Sequence, residues 1–359
     1  MYGVVPYDRQ TLKMGKKKYR VVPVKPTEFS QWDKFVETSH SGSIYHLSSY
    51  LGVLANVTGG HFHIVAVRLE DKIVAGAALF ERPLILGCYS SSRLLLYYHG
   101  LVLGPATLRK NGKEVRTSAL EPLEKYLCSF GYAFVSMYHR HPLCDFRIFS
   151  RAGWQLELGY TYEVPLIDKI ALWRRIDQNQ RRLIRRAENS GYTLSEDDDF
   201  ESFFRQHEEV HQRKAAPIYL NQGRFEKYFH LLREKGLCRL YHVRTESDES
   251  AASQLVLLSS HPVTHTVCAA AHERFLGEGV TPFLRWKVFE TLSKEGYLGN
   301  DLTDAGLHSV ARFKRDMGGE LRRCIRVTKQ FDKTFALHLL ANRTLNKVKK
   351  ILNLNHYSY

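Results

Sequence analysis

The chain has 359 residues, 44% hydrophobic and 25% charged, the balance of a soluble globular protein long enough for two domains with separate cores. No apolar run approaches the roughly 20 residues that cross a bilayer, and the basic N-terminus (Lys13, Lys16, Lys17, Lys18) is followed by no apolar stretch of a secretory signal, so a cytoplasmic protein is expected. A formal net charge of +15 favours anionic partners: nucleic acid, anionic lipid or phosphorylated substrates.

In chain order, Tyr19 to Val24 is a predicted strand stopped by Pro26. Thr27 then caps a helix running to Ser39, with Phe29, Trp32, Phe35 and Val36 on one face. A helix at Leu47–Asn56 ends at Gly59-Gly60. A hairpin follows (His63–Arg68, turn Glu70-Asp71, Lys72–Phe80), then a strand at Leu94–Leu103 and a helix at Lys113–Ser129. Strand Tyr132–Tyr138, short helix Leu143–Arg151 and strand Trp154–Val164 complete the first half. The second half opens with a predicted helix at Asp168–Ser190, and helices Asp198–Lys214 and Asn221–Lys235 follow. Next come a hairpin (Arg239–Arg244, turn Glu246–Glu249, Ala252–Leu258), strand Thr264–Ala271 and helix Val280–Glu295. Strand Tyr297–Thr303, helix Leu307–Met317 and strand Leu321–Thr328 close it.

The two halves repeat one pattern: hairpin, strand, helix, Gly-Tyr, strand, short helix with Phe-Arg or Phe-Lys, glycine, strand. Such a repeat implies two copies of one fold, and the segregation of strands and helices makes that fold α+β with mixed, largely antiparallel sheets. The expected domains are a basic extension at 1–18, a first domain at 19–165, a second at 166–330 and a basic amphipathic helix at 331–359. Six scattered cysteines form no CxxC pair and read as reduced thiols. The 17 histidines lack helical ligand spacing, so no metal is expected.

Two segments carry chemistry. Arg274-Phe275-Leu276-Gly277-Glu278-Gly279 lies between a predicted strand and a predicted helix beginning at Val280. Its glycines let backbone N–H groups approach an anion at a helix start, and the plain alternative is a tight turn with a glycine cap. Asp301-Leu302-Thr303-Asp304-Ala305-Gly306 precedes Phe313-Lys314-Arg315 and Gly318-Gly319-Glu320. The first segment resembles the coenzyme-A pyrophosphate loop of the GNAT acyltransferases. The second resembles the C-terminal signature of the FemAB family, which includes BioF2-like acetyltransferases and consists of tandem GNAT-like domains.

The resemblance implies a cytoplasmic acyltransferase, peripheral at most to the inner membrane face. It would move an acyl group from acyl-CoA (acetyl-CoA), or an aminoacyl group from aminoacyl-tRNA as in peptidoglycan bridge formation. The acceptor would be an amine on an anionic, lipid-linked or polysaccharide cell-envelope precursor. It implies donor contacts at Arg274, Gly277, Gly279, Val280 and Phe313, and at Lys314 a cation that stabilises the developing oxyanion. Arg213, Lys214 and Tyr219 would hold acceptor phosphate, although a basic pair at a helix end also complements its dipole. General-base candidates are Asp304, Glu273, His272 and Glu320. The first copy lacks RxxGxG and has Phe146-Arg147 where the second has Phe313-Lys314, so the second is expected to hold the donor and the first the acceptor.

Six arginines (Arg174, Arg175, Arg181, Arg182, Arg185, Arg186) on the helix at 168–190 form either a solvated face or a track for tRNA phosphates. The tail helix either packs on its own domain or rests on an anionic membrane. A non-catalytic basic binding module is the alternative of a different class.

Overall fold

The computed structural model describes residues 19–84, 87–91, 95–104, 115–140, 145–216, 218, 220–303, 305, 308–341 and 344. The chain divides into two compact units, residues 1–157 with 325–359, and residues 158–324.

In the first unit, strands β1 (Tyr19–Pro23), β2 (His61–Leu69), β3 (Lys72–Pro83), β4 (Cys88–Ser91) and β6 (Phe134–Arg140) lie side by side in that order, with β5 (Gly100–Leu103) also on β3. All pair antiparallel except β4 with β6. The β2–β3 turn forms where expected, with Glu70 in the left-handed region at φ 57°. Helices α1 (Phe29–Glu37), α2 (Ser48–Thr58), α3 (Val115–Ser129) and α4 (Arg147–Arg151) follow the predicted order. Gly59 closes α2 at φ 71°, a conformation that glycine adopts without strain. Val65, Ala77, Leu101, Leu123, Val135, Phe149 and Trp154 share one core.

Two expectations for this unit change. Thr27 does not cap the first helix: it lies inside a 3-10 turn at Pro26–Glu28, and Glu28 Oε2 accepts the Lys25 N–H at 3.1 Å. The strand expected at Leu94–Leu103 shrinks to β5, because Leu95 (φ 59°) and Gly100 (φ 120°) interrupt the extended run. A Cβ at Gly100 would stand 2.7 Å from the Met137 Cβ, so close approach to β6 also requires glycine there. The strand β4 was not anticipated.

In the second unit, β7 (Gln155–Pro165), β12 (Gly299–Asp301), β11 (Val263–Ala271), β10 (Ser250–Leu257), β9 (Cys238–Arg244) and β8 (Thr193–Glu196) form the sheet in that order. Only β11 and β12 run parallel. Helices α7 (Phe200–Arg213) and α8 (Gln222–Glu234) join through Phe200, Phe203, Phe225 and Phe229. Helix α9 (Val280–Lys294) buries Phe283, Trp286, Phe289 and Leu292 in the main core, each worth about 1.5–3 kcal/mol on full burial. Helix α10 (His308–Asp316) and strand β13 (Glu320–Gln330) end the repeat.

The helix expected at Asp168–Ser190 is two helices, α5 (Lys169–Arg175) and α6 (Gln178–Asn189). Ile176 turns extended (φ −65°, ψ 134°), and the Asp177 carboxylate accepts the Asn179 N–H at 2.8 Å as a new cap. Arg181 Nη1 then donates to the carbonyls of Trp173, Arg174 and Ile176, satisfying groups left open at the end of α5.

The expected boundaries at 165 and 330 are the last residues of β7 and β13. The compact units instead change inside those strands, after Glu157 and after Cys324. The last residues of β7 pair with β12 in the second unit, and Val327 of β13 enters the first unit's core. Residues 1–18 and most of the segment after 341 lie outside the described residues. Before it, Phe335 packs with Leu84, Tyr89 and Ala133, whereas Leu337 and Leu340 are exposed.

Candidate active site in the second unit

Strands β11 and β12 share three paired positions, ending at His265 opposite Asp301. Beyond them β11 runs on to Ala271 without its parallel partner. The register between β10 and β11 also shifts at Leu255/Val256, the mark of a β-bulge, which bends a strand and re-aims its side chains. The two parallel strands therefore part at a point lined by buried polar groups.

Asp301 is fully buried. Its Oδ1 accepts the Thr161 hydroxyl and the Thr303 N–H, each at 2.7 Å, and its Oδ2 lies 3.8 Å from His265 Nδ1. These bonds hold Thr303 at φ 50°, a left-handed conformation that costs a β-branched residue about 1–2 kcal/mol. The Thr303 hydroxyl reaches the Thr266 carbonyl at 3.2 Å, and its own carbonyl accepts a hydrogen bond from Lys314 Nζ. A second chain runs from Gln254 Nε2 to Thr266 Oγ1 (3.1 Å), to Asn300 Oδ1 (2.9 Å), and from Asn300 Nδ2 to Thr264 Oγ1 (2.8 Å). Buried polar networks of this kind are costly unless satisfied, and fix geometry when they are.

Lys314 is only 8% exposed, although a lysine on a nine-residue terminal helix is ordinarily solvated. Helix α10 turns its Phe313 half into the core, with Met317 fully buried one turn on, and Lys314 follows them inward. The double glycine explains the abrupt end. Gly318 (φ 85°) lies where a Cβ would meet Leu172 Cδ1 at 2.9 Å, and at Gly319 it would meet the Lys314 carbonyl at 2.7 Å. A buried ammonium with a fixed carbonyl partner is a preorganised positive charge.

The Gly-containing segment folds as a 3-10 turn, Glu273–Glu278, capped by the His272 side chain, with Gly279 at φ 86° leading into Val280 and α9. The strand–turn–helix order matches expectation, and open space surrounds Gly277. Arg274, however, is turned away: it forms an ion pair with Glu249 and stacks on Phe275 with 4.5 Å from Cζ to the ring centroid. Helix α6 closes on the turn, with Arg186 Nη1 3.3 Å from the Gly277 carbonyl. A Cβ at Gly279 would meet the Leu183 carbonyl at 2.4 Å.

The remaining candidates scatter. Glu273 is exposed and makes no hydrogen bond or ion pair among the described residues. His272 Nε2 faces Glu209 at 3.6 Å and its Nδ1 accepts the Arg274 N–H at 3.4 Å, so the ring is engaged by the turn and by α7. Glu320 is held by Arg175 and Arg322. Arg213 and Lys214 are exposed at the end of α7, while Asp304 and Tyr219 lie outside the described residues. Of the six arginines, Arg175, Arg181, Arg185 and Arg186 are engaged within the unit, Arg185 over the Trp173 ring, leaving Arg174 and Arg182 exposed.

Sequence reasoning singled out the segment Asp301 to Gly306 but gave Asp301 and Thr303 no role of their own, and it missed Thr161. Their signal was present: Gly299-Asn300-Asp301 is a polar run on a strand buried throughout. Among the described residues, one group has donor atoms close enough for a metal: Asp197, Asp199 and His242. Arg244 Nη2 already bridges both carboxylates at 2.9 and 3.1 Å. Although burial acts to raise them, hydrogen bonds and this guanidinium hold both below the usual range.

Residues 174–315 match the model of an acetyltransferase (GNAT) domain, spanning α6, the Gly turn, the parted strands and Lys314. With the mixed α/β fold, this match over the second unit supports an acyl or aminoacyl transferase built on a GNAT domain. In fold the chain is also similar to solved structures of the FemX and tandem GNAT kind. The crystal structure of FemX superposes with a TM-score of 0.71 at 11% identity, covering 88% of this chain and 98% of that one. A tandem GNAT protein from the clavulanic acid biosynthesis pathway gives 0.51 at 11% identity, covering 87% and 98%. The C-terminal domain of a putative lysylphosphatidylglycerol synthetase from Agrobacterium fabrum gives 0.53 at 10%, covering 89% and 98%. At such identities these likenesses concern the fold. No curated protein matches the chain, and no helix among the described residues is long and apolar enough to cross a membrane.

Proposed function

We propose that the protein transfers an acyl group from acyl-CoA to an amine on an anionic cell-envelope or polysaccharide precursor, with Lys314 stabilising the oxyanion. The observation that carries this reading is the buried Lys314 ammonium, fixed on the Thr303 carbonyl where β11 and β12 part. In aminolysis of a thioester or ester, the amine attacks the carbonyl carbon, the carbonyl oxygen becomes negative, and the thiol or ribose hydroxyl leaves. A cation placed before the reaction stabilises that charge without reorganising. Glycine-turn N–H groups ahead of α9 are the natural contacts for the donor's pyrophosphate. Phe313 supplies apolar surface beside Lys314. Arg213, Lys214 and Tyr219 stay candidates for acceptor phosphate, and Asp304 for the base.

Aminoacyl-tRNA is the second reading of the donor. It is favoured by Arg274, whose pairing with Glu249 withdraws the first basic residue of RxxGxG from the turn. The test is to incubate the full chain with acetyl-CoA or charged tRNA and amine-bearing, phosphate-linked sugar or peptide precursors, and to follow the acceptor's mass. Transfer from one donor, abolished by Lys314→Met, is expected. Absence of transfer from both, at donor concentrations that saturate binding, overturns the reading.

A further inference from the structure

We propose that Arg285, which no donor or acceptor motif includes, is a binding group for a phosphate ester of the substrate. Arg285 lies on α9, six residues along from Gly279, and is partly buried. Its Nη1 is withdrawn from solvent and has no hydrogen-bond partner. It forms no ion pair or hydrogen bond among the described residues. This is not for want of carboxylates on the helix: Lys287, two residues on, pairs with both Glu188 and Glu290. Arg239 pairs with Glu295 at the helix end. Arg285, unlike these two, has no carboxylate partner among the described residues.

A guanidinium carries five N–H donors in a planar fork and cannot shed its charge at neutral pH. Leaving it desolvated and unpaired opposes folding. Burial accordingly pushes it down to about 10, and the single opposing influence is the Cys268 thiol on β11. Helix α9 packs against β11, the strand that carries Cys268. Cys268 lies three residues beyond His265, the last position where β11 is paired with β12. Arg285 thus stands beside the parted stretch of β11, the strand whose Thr266 carbonyl receives the Thr303 hydroxyl of the Lys314 site.

An oxyanion completes the fork, and guanidinium geometry matches the oxygens of a phosphate in a bidentate manner. The choice of phosphate over carboxylate rests on the proposed acyl transfer, because either donor brings phosphate esters to the second unit: coenzyme A through its nucleotide, tRNA through its 3′-terminal phosphodiesters.

The test uses the full chain and two probes without an acyl group, coenzyme A and the trinucleotide CCA, titrated calorimetrically at low and moderate salt. Wild type is expected to bind one of them, and the one bound identifies the source of the phosphate. Arg285→Met should weaken that binding by about 10- to 100-fold and flatten its salt dependence. Arg285→Lys should fall between. Without ligand, Arg285→Met should melt no lower than wild type, since an apolar chain of similar length replaces an unpaired buried charge. Failure of wild type to bind either probe overturns the proposal. So does an Arg285→Met protein that binds like wild type, or one that melts lower with unchanged affinity, which marks a structural arginine. Because binding is read without turnover, Arg285-dependent binding in a protein that transfers nothing would sink the acyl-transfer reading and leave this site standing.

Discussion

Replacing Lys314 by Met separates a catalytic cation from a structural one. The side chain keeps its length and apolar stem, so the packing around Phe313 and Met317 is retained. What is lost is the ammonium and its hydrogen bond to the Thr303 carbonyl. Leaving that carbonyl short of a donor costs about 1–3 kcal/mol. Against this, a side chain 8% exposed no longer carries a charge out of water, which returns several kcal/mol in the unrelaxed limit. The two terms oppose, and we expect net stability to change by no more than about 1 kcal/mol, or about 2–4 °C in Tm. The rate should respond quite differently: loss of one preorganised oxyanion donor costs about 100- to 1,000-fold in kcat. Parallel measurement of thermal melting and acceptor acylation decides the matter. A Lys314→Met protein with kcat within about threefold of wild type and a Tm lowered by more than about 10 °C would refute the argument, because it would make Lys314 a strut for Thr303.

Arg274→Ala should leave stability within about 1 kcal/mol, since its Glu249 partner and its own side chain are largely solvent-exposed and such pairs contribute little; a urea titration showing a larger loss would contradict this. Gly279→Ala should destabilise by more than about 2 kcal/mol, the left-handed penalty being compounded by the Leu183 carbonyl 2.4 Å from the new Cβ, and an unchanged urea midpoint would count against the observed turn. Burial pushes His99 to about 4, so above about pH 6.5 it is neutral in both states. As pH falls from there to about 4, the unfolded chain takes up a proton that the fold refuses, and about 3 kcal/mol is lost. Asp33 and Glu81, raised by burial, act with the opposite sign, so the diagnostic is a shallower acid slope in His99→Gln, and identical slopes would exclude His99 as the cause.

The elements with strong periodicity and clear punctuation were readable from sequence. The β2–β3 and β9–β10 hairpins have alternating apolar residues and charged turns, and α2 and α9 meet glycine at the expected end. Short polar strands were not readable. β8 (Thr193–Glu196) and β4 (Cys88–Ser91) owe their pairing to neighbours in the sheet, and four residues give no usable period. The break between α5 and α6 was hidden because Trp173, Ile176, Leu183 and Ile184 keep one helical spacing through it, while Asp177 reads equally well as a surface residue or a cap. At the site, Phe313 and Lys314 were legible as a pair. Which of the two went inside depended on Gly318 and Gly319 setting α10 against Leu172 and Tyr162, contacts more than 140 residues away in sequence.

The two repeats resolve the same dipeptide in opposite ways, and this difference bears on where the chemistry lies. In the first, Phe146 is buried and Arg147 stays at the surface, paired with Asp145 at 2.9 Å. In the second, Phe313 is half-exposed and Lys314 is the buried member. Placing the aromatic inside and the cation outside is the arrangement that folding alone favours. The inverted arrangement works against folding, and it needs Asp301 to fix a left-handed Thr303 whose carbonyl receives the ammonium. The same second unit leaves Arg285 desolvated without a counter-ion. A buried Lys314 and an Arg285 whose Nη1 is withdrawn from solvent, in the unit that carries the GNAT domain match, are the groups that the proposed anionic donor would engage.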